Sequence, residues 1–222
     1  MTSTGVLLSA GLDSAVLAAA EARTSEVHPI YVSAGLAWEP SELAALDRLL
    51  AVAPLARHIA RLARLAFTVA DLYPASHWAI RGTPPAFDTP DEDVYLVGRN
   101  VVLLSKAAIY CSQHGIGRIV LGPLAHNPFP DATPQFFDTM ARALSLGLAH
   151  TLVIEAPLAS MEKADVIRLG VELGVPLELT LSCMDPQEGL HCGRCSKCRE
   201  RRDAFREAGV ADPTRYAAVP LR

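Results

Sequence analysis

The sequence predicts an open, doubly wound α/β fold: a mainly parallel sheet with helices on both faces and a small cysteine-rich segment at the C-terminal end. Short apolar runs alternate with stretches whose apolar positions recur every three or four residues, and alternating strand and helix build a parallel sheet. The polar and glycine residues cluster in the loops that leave those runs, where parallel sheets gather their ligands. Of the 222 residues, 50% are hydrophobic, enough for one core with a small appendage.

The formal net charge of -4 gives no general attraction for polynucleotides, so small-molecule substrates and no direct nucleic-acid partner are expected. No apolar run reaches membrane-spanning length without charges, and the N-terminus lacks a basic-then-apolar signal pattern. A cytoplasmic protein with no membrane partner follows.

The first strand is the apolar run Gly5-Val6-Leu7-Leu8, and the first helix resumes at Ala15-Val16-Leu17. Between them lies Ser9-Ala10-Gly11-Leu12-Asp13-Ser14. The first amides of a helix are unpaired and its dipole is positive there, so those N–H groups and the Ser9 and Ser14 hydroxyls can surround a phosphate. A plain strand-helix turn capped by Asp13 and Ser14 is the bland alternative. The spacing matches neither the Walker loop nor the three-glycine dinucleotide fingerprint.

A second strand runs over 26–32, a loop follows over 33–38, and Ser41 is placed to cap a helix carrying Leu43, Leu46 and Leu50. The third strand is expected over 65–69. The Pro-rich interval 73–90 is too long for a simple connection and suits a binding loop, with His77 and Trp78 more simply sealing the sheet edge. Arg99 and Asn100 open the next helix, which runs through Leu103, Leu104, Ala107, Ala108 and the core thiol of Cys111. Arginine offers a rigid bidentate fork for an anionic or planar polar ligand, although a surface ion pair and an N-cap would also account for the two residues.

The fourth strand, 117–122, leads into a loop ending at Asp131, which faces the same crevice and can accept from an exocyclic amine or ring N–H. His126 in that loop reads as solvated. A helix over 133–148 and a strand over 152–155 follow. Lys163 then opens a helix through Val166, Ile167 and Leu169 ending at Gly170 or Gly174. That lysine suits a phosphate or the charge developing on a transferred phosphoryl group, unless it is simply solvated.

Of five cysteines, four crowd into 183–198. Cys183, Cys192, Cys195 and Cys198, the last three spaced by two residues, can wrap one tetrahedral metal, read as zinc ahead of an iron–sulfur cluster. Four thiolates leave no position open, so the metal is structural. Arg199, Arg201 and Arg202 follow on a helix, as a solvated face or, for Arg201, as an anion contact.

The loop Ser9-Ala10-Gly11-Leu12-Asp13-Ser14 resembles the SGGxDS loop of the PP-loop ATP pyrophosphatases, which cleave ATP between the α and β phosphates and use the AMP half to activate a carbonyl oxygen. Ala10 stands where that superfamily usually has glycine. If the position takes a positive φ, its methyl costs roughly 1 kcal/mol and crowds the phosphate.

With that loop come Leu96-Val97-Gly98-Arg99-Asn100, the stretch Asn127 to Phe136, an Ala-Pro-Leu segment followed by Lys163, the cysteine cluster, and Asp212-Pro213-Thr214-Arg215-Tyr216. In this order they resemble the 7-cyano-7-deazaguanine synthase family over nearly the whole chain. The chain departs from that pattern after strand two, where Tyr31 to Glu39 replaces an aromatic-glycine-glutamine element, and at Asn127, Ala132 and Thr133.

The resemblance implies a PP-loop, adenine nucleotide α-hydrolase-like domain over 1–180 with a zinc-binding segment over 181–222 packed on it. The implied activity is a carbon-nitrogen ligase of queuosine- or archaeosine-type biosynthesis. It converts 7-carboxy-7-deazaguanine and free ammonia to the nitrile through an adenylated acid and an adenylated amide, releasing AMP and pyrophosphate. The implied ATP site is Leu8, Ser9, Ala10, Gly11, Leu12, Asp13 and Ser14, with Mg²⁺. Asp13, Ser14 and Lys163 would do the chemistry, Arg99, Asn100 and Asp131 would hold the deazaguanine, and one zinc per chain and a homodimer are implied. The alternatives are a divergent PP-loop enzyme acting on a related carboxylate or conjugating a deazapurine, and a non-catalytic nucleotide-binding module.

Overall fold

The computed structural model describes residues 2–218, so Met1 and residues 219–222, the outer ends of the two expected units, lie outside the described residues. Five strands form one sheet: β1 (Ser3–Leu7), β2 (Glu26–Ser33), β3 (Ala63–Ala66), β4 (Arg118–Val120) and β5 (Val153–Glu155). Their order is β3-β2-β1-β4-β5, and every pairing is parallel. The helices are α1 (Leu12–Glu21), α2 (Glu39–Leu50), α3 (Leu55–His58), α4 (Trp78–Arg81), α5 (Arg99–Gln113), α6 (Pro134–Leu148), α7 (Lys163–Glu172) and α8 (Ser196–Ala208).

Successive strand residues point to opposite faces, and here both faces are apolar because both are covered. Val6, Val27, Tyr31 and Val120 pack with Leu17 of α1, Leu46 of α2, Val166 of α7 and Phe205 of α8. Ile30, Val32 and Ile119 pack with Leu104 and Cys111 of α5 and Phe137 of α6. Gly5 lets α5 approach β1, since a Cβ there would lie 2.9 Å from the Cys111 sulfur. The four clustered cysteines belong to the same core as Leu17 and Val166, so the C-terminal segment extends that core.

Several boundaries differ from expectation, among them the start of α1 at Leu12 rather than Ala15 and the ends of β4. Helix α2 begins at Glu39 with Trp38, rather than Ser41, as the residue before it. Pro40 in the first turn explains the earlier start, because its fixed φ and missing N–H suit a helix entrance. Strand β3 ends at Ala66, where its partner β2 ends at Ser33.

The strand order turns back between β1 and β4, so the loops after their carboxyl ends diverge and leave a crevice. Among the described residues, no helix is long and apolar enough to cross a membrane.

Candidate active site

The loop between β1 and α1 folds on itself before it meets any ligand. The Ser14 hydroxyl accepts the Ser9 N–H at 3.3 Å and donates to the Gly11 carbonyl at 3.0 Å, while Ser9 Oγ accepts the Gly11 N–H at 3.4 Å. Ala10 has φ +62°, the left-handed conformation expected if glycine were preferred. Its side chain is fully buried in the core and lines neither cavity of the crevice. The Ala10 carbonyl accepts the Leu181 N–H at 2.8 Å, which ties the loop to the segment leading into Cys183.

Lys163, at the start of α7, reaches this loop from the side. Its Nζ lies 2.6 Å from Asp13 Oδ2 and 3.2 Å from Glu200 of α8, and the side chain is only 19% exposed. Burial opposes the ammonium charge, but Asp13 and Glu200 outweigh it and hold the Lys163 pKa above its ordinary value. Burial likewise opposes the Glu200 carboxylate, yet Lys163 and Lys197 bring its pKa down to about 2. The other oxygen of Asp13, Oδ1, is buried and without a hydrogen-bond partner. An uncommitted carboxylate oxygen beside a phosphate-type loop is the hard donor that Mg²⁺ takes, so the residues fit that ion.

Two adjoining cavities fill the crevice. The first, about 350 Å³, is lined by Ser9, Asp13 and Lys163 together with Trp38, Trp78, Glu42 and Arg99. The second, about 260 Å³, runs under the loop between Tyr31, Glu42, Arg99 and Asn100. Trp38 and Trp78 stack with ring centroids 5.5 Å apart, so Trp78 forms a flat wall of the site rather than only a seal on the sheet edge. Glu42 is buried and accepts the Tyr31 hydroxyl at 2.9 Å. Burial, partly offset by Arg99, pushes its pKa up to about 7.

The cysteine cluster lies beside this crevice, and Cys183 lines the first cavity. The four sulfurs lie within 4.8 Å of one another, all buried, with Cys183–Cys195 at 4.0 Å, Cys192–Cys198 at 3.9 Å and Cys195–Cys198 at 3.5 Å. Zinc–sulfur bonds of about 2.3 Å in a tetrahedron separate the sulfurs by roughly 3.8 Å. Backbone N–H groups of Cys192 and Asp185 point at Cys183 Sγ, at 3.2 and 3.3 Å, as thiolates require. The cluster therefore fits a tetrahedral metal. Gly193 turns the chain between ligands at φ +77°, with Ala218 packed so closely that a Cβ would meet its carbonyl oxygen at 2.6 Å.

The geometry redistributes several expected roles. Leu8, Ser9, Gly11, Leu12, Asp13 and Ser14 line the crevice, as do Arg99 and Asn100. Asp131 lines neither cavity. Its carboxylate accepts the Asn100 backbone N–H at 3.0 Å, and Asn100 Nδ2 returns to the Asp131 carbonyl at 2.9 Å, so the pair holds the entrance of α5.

The basic helix is not a solvated face either. Arg201 is buried and donates to Thr180, Ser182, Thr214 and the Leu177 carbonyl, and Arg199 donates to the carbonyls of Phe87 and Thr89. These bonds fasten the Pro-rich interval and the C-terminal strap to α8. His126 is solvated, with Glu162 at 3.0 Å. Glu42, Trp38 and Glu200 are the site residues that sequence reasoning missed. The signal for Glu42 was present as an acidic residue in the first turn of a helix entering from a strand's carboxyl end.

The family described as queuosine biosynthesis protein QueC matches residues 4–209. The 7-cyano-7-deazaguanine synthase of Anaeromyxobacter dehalogenans strain 2CP-C is 40% identical over 222 residues, covering 96% of this chain and 94% of that relative. The 7-cyano-7-deazaguanine synthase of Azoarcus sp. strain BH72 is 37% identical, covering 96% of each chain. That of Methanothrix thermoacetophila is 35% identical, covering 95% of this chain and 96% of its own.

Proposed function

The chain belongs to the QueC family of queuosine biosynthesis proteins, and we propose that it converts 7-carboxy-7-deazaguanine and ammonia to 7-cyano-7-deazaguanine, using ATP and releasing AMP and pyrophosphate. The observation that carries this reading is the meeting of Lys163 and Asp13, 2.6 Å apart, in the cavity that also holds Arg99 and the two tryptophans.

A carboxylate does not react with ammonia as such, because it forms a salt and has no leaving group. Attack of the carboxylate oxygen on the α-phosphorus of ATP releases pyrophosphate and gives a mixed anhydride. Ammonia then attacks the acyl carbon, AMP leaves, and the amide forms. Adenylation of the amide oxygen releases a second pyrophosphate, and loss of N–H protons and AMP gives the nitrile.

In each activation the barrier lies in charge gathering on pyrophosphate. Lys163 is the group suited to offset it, since Asp13 and Glu200 keep it cationic despite burial. The first amides of α1 and the Ser9 hydroxyl supply donors to the phosphates, while internal hydrogen bonds that commit the Ser9 and Gly11 N–H groups and the Ser14 hydroxyl set the shape of the loop before ATP arrives. Mg²⁺, held by Asp13 through its uncommitted oxygen, would spread the phosphate charge. Zinc at Cys183, Cys192, Cys195 and Cys198 would fix the start of α8, and with it Glu200 beside Lys163. Arg99 and Asn100 face the crevice, and Asp131 acts through them by holding the helix entrance.

The test is direct. Purified protein is incubated with Mg-ATP, ammonium and 7-carboxy-7-deazaguanine, the base is followed by mass spectrometry and the nucleotide by chromatography. Nitrile with two AMP per base is expected. A folded, metal-loaded protein that yields neither AMP nor modified base refutes the assignment, and amide as the end product refutes the second activation.

A further inference from the structure

One group at the centre of the crevice has no part in the steps above. Glu42, in the first turn of α2, lines both cavities and so stands where they join. Its surroundings come from three elements. Tyr31 of β2 donates its hydroxyl to Oε2, and Arg99 of α5 is close enough to favour the carboxylate. On its own helix, Trp38 is a hydrogen-bond neighbour, while Glu39 is already committed to the Ala34 N–H at 2.7 Å and the Gly35 N–H at 3.2 Å. A carboxylate has about four acceptor positions, and Tyr31 and Trp38 use two of them.

Beside it Arg99 keeps a donor in reserve: its Nε is buried and has no hydrogen-bond partner. Buried donors are nearly always paired, so an orphan in a ligand cavity points to a missing acceptor. Glu42 and Arg99 both line the two cavities, so the crevice offers an acceptor and a donor together, walled by Trp38, Trp78 and Phe129. The matching ligand is a flat heterocycle with N–H donors next to a carbonyl. A deazaguanine ring presents that edge, with a ring N–H and an exocyclic amine beside its carbonyl. Adenine has an amine but no neighbouring ring donor.

We propose that Glu42 selects the deazaguanine by accepting from its ring N–H and exocyclic amine, while Arg99 donates to its carbonyl. This rests on the function proposed above and names the residue that confers its base specificity.

The experiment uses the base alone, so binding is separate from turnover. Both tryptophans of the chain line the cavity, and their fluorescence quenching reports occupancy. Wild type, Glu42→Gln and Glu42→Asp are titrated with 7-deazaguanine, with 7-deazahypoxanthine, which lacks the exocyclic amine, and with Mg-ATP. Hydrogen bonds to a charged acceptor predict that wild type prefers 7-deazaguanine by about 10–100-fold. Glu42→Gln should reduce the preference to less than about threefold with ATP affinity unchanged. Glu42→Asp, which keeps the charge but withdraws it, should retain part of the preference.

Equal binding of the two bases by wild type, or an unaltered preference in Glu42→Gln, overturns the proposal while nitrile formation leaves the function standing. Loss of ATP affinity with the base preference intact also overturns it, by assigning Glu42 to the adenine. A wild-type protein that neither binds 7-deazaguanine nor forms nitrile overturns both readings together.

Discussion

Replacing Glu42 by glutamine should stabilise the unliganded protein, and by more at high pH than at low. Burial, opposed by Arg99 and by the Tyr31 and Trp38 side chains and reinforced by Glu39, lifts the Glu42 pKa from 4.5 to about 7. A carboxyl group whose pKa is raised on folding holds its proton more tightly in the native state. Its cost is absent below the unfolded pKa, grows as pH rises between the two values, and is constant above the native one. At 1.36 kcal/mol per unit the full cost is about 3 kcal/mol.

With these two pKa values the cost is about 1 kcal/mol at pH 5.5 and about 3 kcal/mol at pH 8. Glutamine is neutral throughout, and its amide oxygen can still accept the Tyr31 hydroxyl. The advantage of Glu42→Gln over the parent should therefore widen by about 2 kcal/mol between pH 5.5 and pH 8. In a domain of this size that is roughly 4–8 °C in Tm. Calorimetry of both proteins at both pH values, without ligand, measures it, and the difference cancels every other titrating group. A gap that does not change with pH, or a variant less stable than the parent at pH 8, refutes the reasoning. The first result would mean that Arg99 and the hydrogen bonds balance burial, and the second that they outweigh it.

Three further outcomes follow from particular contacts. Ala10→Gly relieves a positive φ but gives up a buried methyl and some chain entropy, each about 1 kcal/mol, so Tm should move by only a few degrees. Its KM for ATP should stay within about threefold in the activity assay, and a tenfold change would place the methyl against the phosphates after all. Gly5→Ala drives a Cβ to within 2.9 Å of the Cys111 sulfur and should cost about 1–3 kcal/mol in a denaturant titration, most of it recovered when Cys111→Ala is added. Removing the metal with a chelator, or substituting Cys195→Ser, should lower stability by about 4 kcal/mol or more. Elemental analysis should find one zinc per untreated chain, and protease should then cut within 183–208.

The alternation of strands and helices was legible because strands covered on both faces are continuous apolar runs, and their helices repeat apolar residues at three and four. The cysteine cluster was legible because close spacing leaves few ways to arrange four thiols. Direction was not. Asp131 sits at the end of a strand-loop that reaches the crevice, yet its carboxylate turns to the Asn100 amide, and nothing local to either residue fixes that choice. Arg201 looks solvated on a helix as polar as α8, but its partners Thr180, Leu177 and Thr214 lie 13 to 24 positions away and only the fold brings them together.

Glu42 joins the two cases. The sequence pattern sets the helix on Leu43, Leu46 and Leu50, whereas Leu46 and Leu49 are the fully buried pair and Leu43 and Leu50 are only partly buried. The face that meets the crevice is fixed by Leu46 and Leu49 seating in the core, which no local pattern around Ser41 records. Once those leucines are buried, Glu42 must stand one turn before Leu46 at the mouth of the sheet. A carboxylate held there against its own desolvation is the arrangement expected of a group retained for a ligand rather than for the stability of the empty protein.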